Sequence, residues 1–173
     1  KAAVGADGMP VAIHHVTVSK PVLANTAMGK MAVTKEGLDP STIEGSADMP
    51  YAIPNLRVEV HNTREAVPIL WWRSVGHSIT GFVTNSVIDE LATLTGKDPY
   101  EYRRELLKEK PRHLAVLERA AIEANWGQTL PAGHFHGIAL QESFGSIVAQ
   151  VAEVSVSDGK ARVHRVTCAV DCG

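Results

Sequence analysis

Asp89-Glu90-Leu91-Ala92-Thr93-Leu94-Thr95-Gly96-Lys97-Asp98-Pro99-Tyr100-Glu101 closes one helix and opens the next within a single short stretch. Upstream of it, Ile79, Phe82, Val83, Val87, Ile88, Leu91 and Ala92 recur at helical spacing. They predict a helix beginning at Ser78 with one apolar stripe, and Gly96 suits its C-terminal cap. Asp98 can cap the next helix, Pro99 fits the first helical position, and Glu101 can reach back as in a capping box. That second helix is expected to reach about Glu109 and to stop before Pro111. A third follows, with Leu114, Leu117, Ala121 and Ala124 on one face, ending near Trp126-Gly127.

On either side of these helices the period is that of strands. Residues 2–18 read as a β-hairpin turning at Asp7-Gly8, and residues 21–54 as an irregular stretch rich in Gly, Pro, Ser and Thr. So long a connection is usually functional, or wraps a neighbour. Within it, Ser41 to Glu44 reads as a turn or cap. Leu56, Val58 and Val60 alternate with Arg57, Glu59 and His61, predicting a half-buried strand. Pro68 to Trp72 reads as a further strand that delivers Arg73 into a tight loop. Beyond Pro131, His136 to Leu140 is a candidate strand, and Ile147–Val156 and Ala161–Val170 flank the hairpin signal Asp158-Gly159. The expected class is α+β, mixed strands and hairpins around a central cluster of about three helices. It divides into a strand-and-loop part (1–77), a helical segment (78–127) and a β-hairpin part (128–173).

Composition narrows the function. The chain is 45% hydrophobic and 21% charged with net charge −2, and its basic residues are scattered. That leaves no basic footprint of the kind that nucleic acid or an anionic membrane surface needs. No apolar run approaches the roughly 18–20 residues that cross a bilayer. Cys168 and Cys172 on one strand would lie about 13 Å apart, too far for a disulfide, and are expected as small buried thiols. The chain opens on Lys1 and closes on Gly173 straight after a strand, and it is expected to be part of a longer polypeptide.

Among candidate chemical groups, Trp71-Trp72-Arg73-Ser74-Val75-Gly76-His77-Ser78 stands out. A loop that opens a helix offers unpaired N–H groups and a partial positive charge. Arg73 adds a planar cationic donor fork, and Gly76 permits close backbone approach. The chemical reading is a polyanionic cofactor or an oxyanion; the alternative is an aromatic pair beside a structural arginine. His134 and His136 share a strand face and could ligate a metal, but without a third ligand they are expected to be surface or hydrogen-bonded residues. Glu142 is expected to be salt-bridged or exposed. No Walker loop, zinc-protease motif, nucleophile elbow or Rossmann fingerprint occurs.

Several of these motifs, in this order, resemble a known family. Asp89-Glu90-Leu91-Ala92, Gly96-Lys97-Asp98-Pro99, Glu101, Arg103-Arg104 and Leu107 look like the helix pair that follows the cofactor loop in xanthine dehydrogenase-type molybdenum hydroxylases. Trp72-Arg73-Ser74-Val75-Gly76-His77-Ser78 is similar to that family's aromatic-Arg-Gly-x-Gly loop. Ser74 stands in place of its first glycine, as in the isoquinoline 1-oxidoreductase branch. Tyr51-Ala52-Ile53-Pro54-Asn55-Leu56-Arg57-Val58-Glu59, Glu142-Ser143-Phe144-Gly145-Ser146 and Ala149-Gln150-Val151-Ala152-Glu153-Val154 also resemble that branch.

The resemblance implies an internal piece of the large, molybdopterin-binding subunit of a bacterial oxidoreductase. Residues 1–77 would end its first molybdenum-binding subdomain, and 128–173 would begin its second. It implies a molybdenum–molybdopterin cofactor, in the cytosine dinucleotide form, bound mostly by other parts of the subunit. It implies [2Fe-2S] clusters on a small partner subunit, and hydroxylation of an N-heterocycle such as isoquinoline with oxygen from water. Trp72, Arg73, Ser74, Val75 and Gly76 would line the cofactor, and Phe144, Gly145 and Val148 would border the substrate pocket. The family's Gly-x-Gly-Glu, which supplies its catalytic base, is absent here, so the chain alone is expected to be inactive. An aldehyde dehydrogenase of the same family is a second reading, and a structural or subunit-interaction segment a third. The compartment, bacterial cytoplasm or periplasm, stays open.

Overall fold

The computed structural model describes residues 1–24 and 26–173, which form two compact units, Lys1–Leu91 and Ala92–Gly173. The chain is α+β throughout.

In the first unit, strand β1 (Ala2–Val4) pairs antiparallel with β2 (Pro10–Ser19) across the expected turn. β2 then pairs in parallel with β3 (Asn55–Asn62), from Ala12 opposite Asn55 to Ser19 opposite Asn62. A parallel pair needs a long crossover. Residues 20–54 provide it, containing the short helix α1 (Gly29–Ala32) and a single 3-10 turn at Pro40–Thr42. Carboxylates organise this irregular stretch. Asp39 is fully buried and accepts from the Leu23 and Ser41 backbone N–H groups and the Ser41 hydroxyl; Asp48 accepts from Gly45 N–H. Buried loop backbone needs such partners, because an unpaired polar group out of water costs about 1–3 kcal/mol.

Helix α2 (His77–Leu94) corrects the expected apolar stripe. Ile79 and Phe82 are 70% and 78% exposed, whereas Thr80, Thr84 and Asn85 are buried together with Ile88, Leu91 and Ala92. The physical reason lies in what the first half of the helix faces. Its neighbour is the polar 39–51 segment, and hydrogen bonds join the two: Thr80 Oγ1 donates to the Glu44 carbonyl (2.5 Å), and Tyr51 OH donates to Asn85 Oδ1 (3.4 Å). A second correction concerns residues 68–72, which form no strand. Ile69, Leu70, Trp71 and Trp72 are all exposed, so this apolar run does not enter the unit's core.

The second unit is closer to expectation. Asp98 caps α3 (Pro99–Leu106), accepting from Tyr100 N–H (2.9 Å) and Glu101 N–H (3.0 Å), and it also accepts from Trp126 Nε1. Glu101 does not complete a capping box, because its carboxylate is drawn to Arg104 one turn on (2.8 Å). Helix α4 (Pro111–Glu123) buries Val116, Leu117, Ala120 and Ala121 and packs on the meander β4 (His134–Ser143), β5 (Ser146–Ser157) and β6 (Lys160–Asp171). Ile138, Leu140, Ile147, Ala149 and Val151 complete that core. Cys168 and Cys172 are free but exposed, not buried: strand alternation leaves Thr167 and Ala169 half-buried and turns Cys168 outward. Among the described residues no helix is long and apolar enough to cross a membrane.

Candidate functional site

The Trp72–Gly76 loop joins the unstructured apolar run to α2. Val75 N–H donates to the Trp72 carbonyl (2.9 Å), closing a turn in which Val75 has φ 48°. A β-branched residue in this left-handed region is a steric outlier and persists only where its surroundings hold it there. The holding comes from Gly76, which is buried. An ideal Cβ at position 76 would lie 2.1 Å from the Ser41 carbonyl oxygen. The close approach that this glycine permits is therefore made to the chain's own backbone.

The donors at the start of α2 are also largely used. Gly76 N–H points at Glu44 Oε2 (3.1 Å), Ser78 N–H at the Val75 carbonyl, and Ile79 and Thr80 N–H at the Gly76 carbonyl. Arg73 differs from them. It is exposed, and among the described residues its guanidinium has neither a hydrogen-bond nor an ion-pair partner. Trp72 is 77% exposed beside it, and Ser74 and Val75 are half-buried. The capacity to meet an anion thus rests on the arginine side chain more than on the helix terminus. Glu44, read from the sequence as part of a turn, is the site-forming residue that was missed. Its signal was only a carboxylate in a long polar connection.

Phe144, Gly145 and Val148 lie in the second unit, at the β4–β5 turn and just after it. Phe144 (φ 51°) and Gly145 (φ 78°) form the two-residue tip between paired Ser143 and Ser146. Asp158 (φ 51°) and Gly159 (φ 70°) make the same tip between β5 and β6. Asp tolerates that conformation and Phe does not favour it. Phe144 is nonetheless 78% exposed, so burial does not explain an aromatic residue there. Val148 is half-buried on β5. Two side chains of α4 brace this tip: Arg112 pairs through two nitrogens with Asp171 (2.9 Å each) and donates to the Gly145 carbonyl (3.3 Å), and His113 meets Glu142 (2.8 Å). Glu142 is thereby a hydrogen-bond partner of His113. The Arg112 guanidinium, helped by the Gly173 N–H, holds the Asp171 carboxyl down at about 2.

The histidines form contacts of their own. His134 hydrogen-bonds Glu153 (2.6 Å) and stacks on His164, and His136 stacks on Trp126. The bond from His134 lowers the pKa of Glu153. No group of three or more metal-ligating side chains is assembled among the described residues. Hollows lie elsewhere, among them one of about 520 Å³ between α4 and β6, lined by Val116 and Val170. Another of about 530 Å³ runs along β1–β3, and a smaller one of about 220 Å³ is lined by Ile13, His15, Val83 and Ile88. None of these includes a residue of the 72–76 loop or of the Phe144 tip. Of those residues, Trp72, Arg73, Phe144 and Gly145 are exposed in their respective units.

Comparison with known proteins relates this sequence to one class of oxidoreductase. The chain is similar in sequence to part of the subunits of that class, the molybdenum hydroxylases. It is 30% identical over 128 residues to the beta subunit of isoquinoline 1-oxidoreductase from Brevundimonas diminuta, covering 71% of this chain and 16% of that protein. It is 35% identical over 77 residues to a subunit of the nicotinate dehydrogenase of Pseudomonas putida, covering 44% of this chain and 6% of that protein. This chain therefore spans a small fraction of the length of either relative. The aldehyde oxidoreductase of Desulfovibrio desulfuricans is similar in structure at TM-score 0.43 and 18% identity, over 92% of this chain and 19% of its own. No family model matches the sequence.

Proposed function

We propose that this chain supplies one wall of the cofactor site in a molybdenum hydroxylase that oxidises an N-heterocycle such as isoquinoline. The observation that carries the reading is the exposed guanidinium of Arg73, unpartnered among the described residues and presented on a loop whose strain at Val75 is locked by its contacts. Trp72, Arg73, Ser74, Val75 and Gly76 would line the molybdenum–pterin group, in its cytosine dinucleotide form. The residues present fit such a group: the exposed guanidinium of Arg73 is a planar cationic fork that can meet oxyanions bidentately. When bound, the group supplies two-electron oxidation of a carbon centre with oxygen from water, and electrons leave through [2Fe-2S] clusters on a small partner subunit. Arg73 would orient and neutralise the anionic face of the cofactor. Phe144, Gly145 and Val148 would border the substrate, with Phe144 offering its ring face to a flat heterocycle. Residues 1–77 and 128–173 would belong to two successive molybdenum-binding subdomains. The chain by itself, without the family's glutamate base, would be inactive.

Arg73→Ala in the complete subunit should lower molybdenum content and turnover at least tenfold, the loss of one charge-assisted contact of about 1.5–3 kcal/mol. Unchanged metal content and activity would remove the basis of the proposal. Turnover of isoquinoline, nicotinate and an aromatic aldehyde by the complete enzyme discriminates the substrate. Preference for the aldehyde would overturn the heterocycle assignment alone.

A further inference from the structure

We infer that Glu44 is a positioning residue for the cofactor loop, fixing the conformation in which Arg73 is presented; this rests on the cofactor reading just given. Glu44 touches the start of α2 twice. Its side chain accepts from Gly76 N–H (3.1 Å), and its backbone carbonyl accepts from Thr80 Oγ1 (2.5 Å). Beside it the Ser41 carbonyl oxygen occupies the space that a Cβ at position 76 would need. Ser41 is itself held, since its N–H and hydroxyl both donate to the fully buried Asp39 carboxylate, which also takes the Leu23 N–H. These contacts form a continuous sequence. Asp39 fixes Ser41, Ser41 and Glu44 fix Gly76, and Gly76 leaves Val75 in its left-handed conformation (φ 48°), which sets the direction taken by Arg73 and Trp72.

The arrangement has an electrostatic side as well. A carboxylate at the N-terminal end of a helix is favourable with respect to the helix dipole. The same charge repels another anion approaching along the helix axis, and it occupies the amide that such an anion would use. An oxyanionic group is thereby directed to Arg73, which is exposed and, among the described residues, unpartnered. Glu44 would thus decide both where the guanidinium points and which of two neighbouring donors an anion meets.

The test pairs amide exchange with metal content in the complete subunit. Glu44→Ala should raise exchange at the Gly76 amide about tenfold or more, the effect of losing one hydrogen bond, with the melting temperature little changed. Molybdenum content should fall severalfold, and Glu44→Gln, which keeps an accepting oxygen, should restore both. Should Glu44→Ala lower the melting temperature, Thr80→Val, which removes the hydroxyl's ties to the Glu44 and Gly76 carbonyls and leaves the Glu44 side chain in place, must show the same loop-confined exchange and the same metal loss. Unchanged protection at Gly76 overturns the inference. So does raised exchange with full molybdenum content, provided that Arg73→Ala does lose the metal. If neither Arg73→Ala nor Glu44→Ala alters molybdenum content, it is the cofactor site itself that fails.

Discussion

Replacing Gly76 by alanine tests the packing on which the loop depends. A Cβ there would meet the Ser41 carbonyl oxygen at 2.1 Å, the Ser41 carbonyl carbon at 3.2 Å and Glu44 Cβ at 3.1 Å. Carbon and carbonyl oxygen come no closer than about 3.3 Å in ordinary contacts. More than an ångström of overlap must therefore be relieved, and the atom in the way is backbone. Ser41 cannot yield easily, because its N–H and hydroxyl are tied to buried Asp39. Overpacking costs about 1–3 kcal/mol, and an anchored backbone neighbour places this case near the top of that range. Displacing Gly76 also stretches its bond to Glu44, worth about 1 kcal/mol. We expect a total of about 3–4 kcal/mol. Gly37→Ala is the control in the same unit. Gly37 has φ 85° and nothing within 4 Å of its would-be Cβ, so that variant should cost only the left-handed penalty of about 1–2 kcal/mol. Urea unfolding followed by circular dichroism reads both. The Gly76 variant should lower the midpoint by about 1–2 M at constant slope. Equal midpoints for the two alanine variants would refute the steric reasoning.

Phe144→Asn should stabilise the second unit by about 1 kcal/mol, since Asn tolerates the left-handed conformation that Phe144 occupies; urea unfolding checks the gain, and on the proposed function KM for the heterocycle should rise. Asp98→Ala removes the α3 cap and the acceptor of Trp126 Nε1, and should cost about 2 kcal/mol, with a red shift in Trp126 emission as an independent sign. The acid limb of stability should respond to Asp171→Asn. The Asp171 pKa is lowered from 3.8 to about 2 by Arg112, so its stabilisation is complete above 3.8 and is lost as pH falls towards about 2. The variant should flatten the unfolding titration within that window, and an unaltered profile would discount the Arg112 pair.

Local signals wrote much of the second unit into the sequence. Asp98-Pro99 starts α3, Asp158-Gly159 turns β5 into β6, and Leu117 and Ala121 face the sheet, because turn chemistry and periodicity act within a few residues. The first unit was less legible. Periodicity assigned the apolar side of α2 to the core, yet the neighbour across its first half is a hydrogen-bonding loop, and Thr80 and Asn85 suit that better than Ile79 and Phe82. The run at 68–72 has strand composition but no strand partner, a fact of pairing rather than of propensity. At the candidate site, residue types named Arg73 and Gly76. The left-handed Val75 and the carboxylate of Glu44 depend on contacts more than thirty residues apart in sequence, which no local pattern encodes.

The parallel neighbours β2 and β3 have a temporal consequence. They can register only after residues 20–54 have folded back between them, whereas β4, β5 and β6 are joined by two-residue tips. Hairpins close within microseconds, and pairing across a long crossover must first meet its loop-closure entropy. During refolding the C-terminal meander therefore assembles early, and the N-terminal strands wait for their intervening polypeptide. The loop carrying Arg73 takes its shape among the last parts of the chain, since the Asp39–Glu44 segment that moulds it lies inside that same crossover.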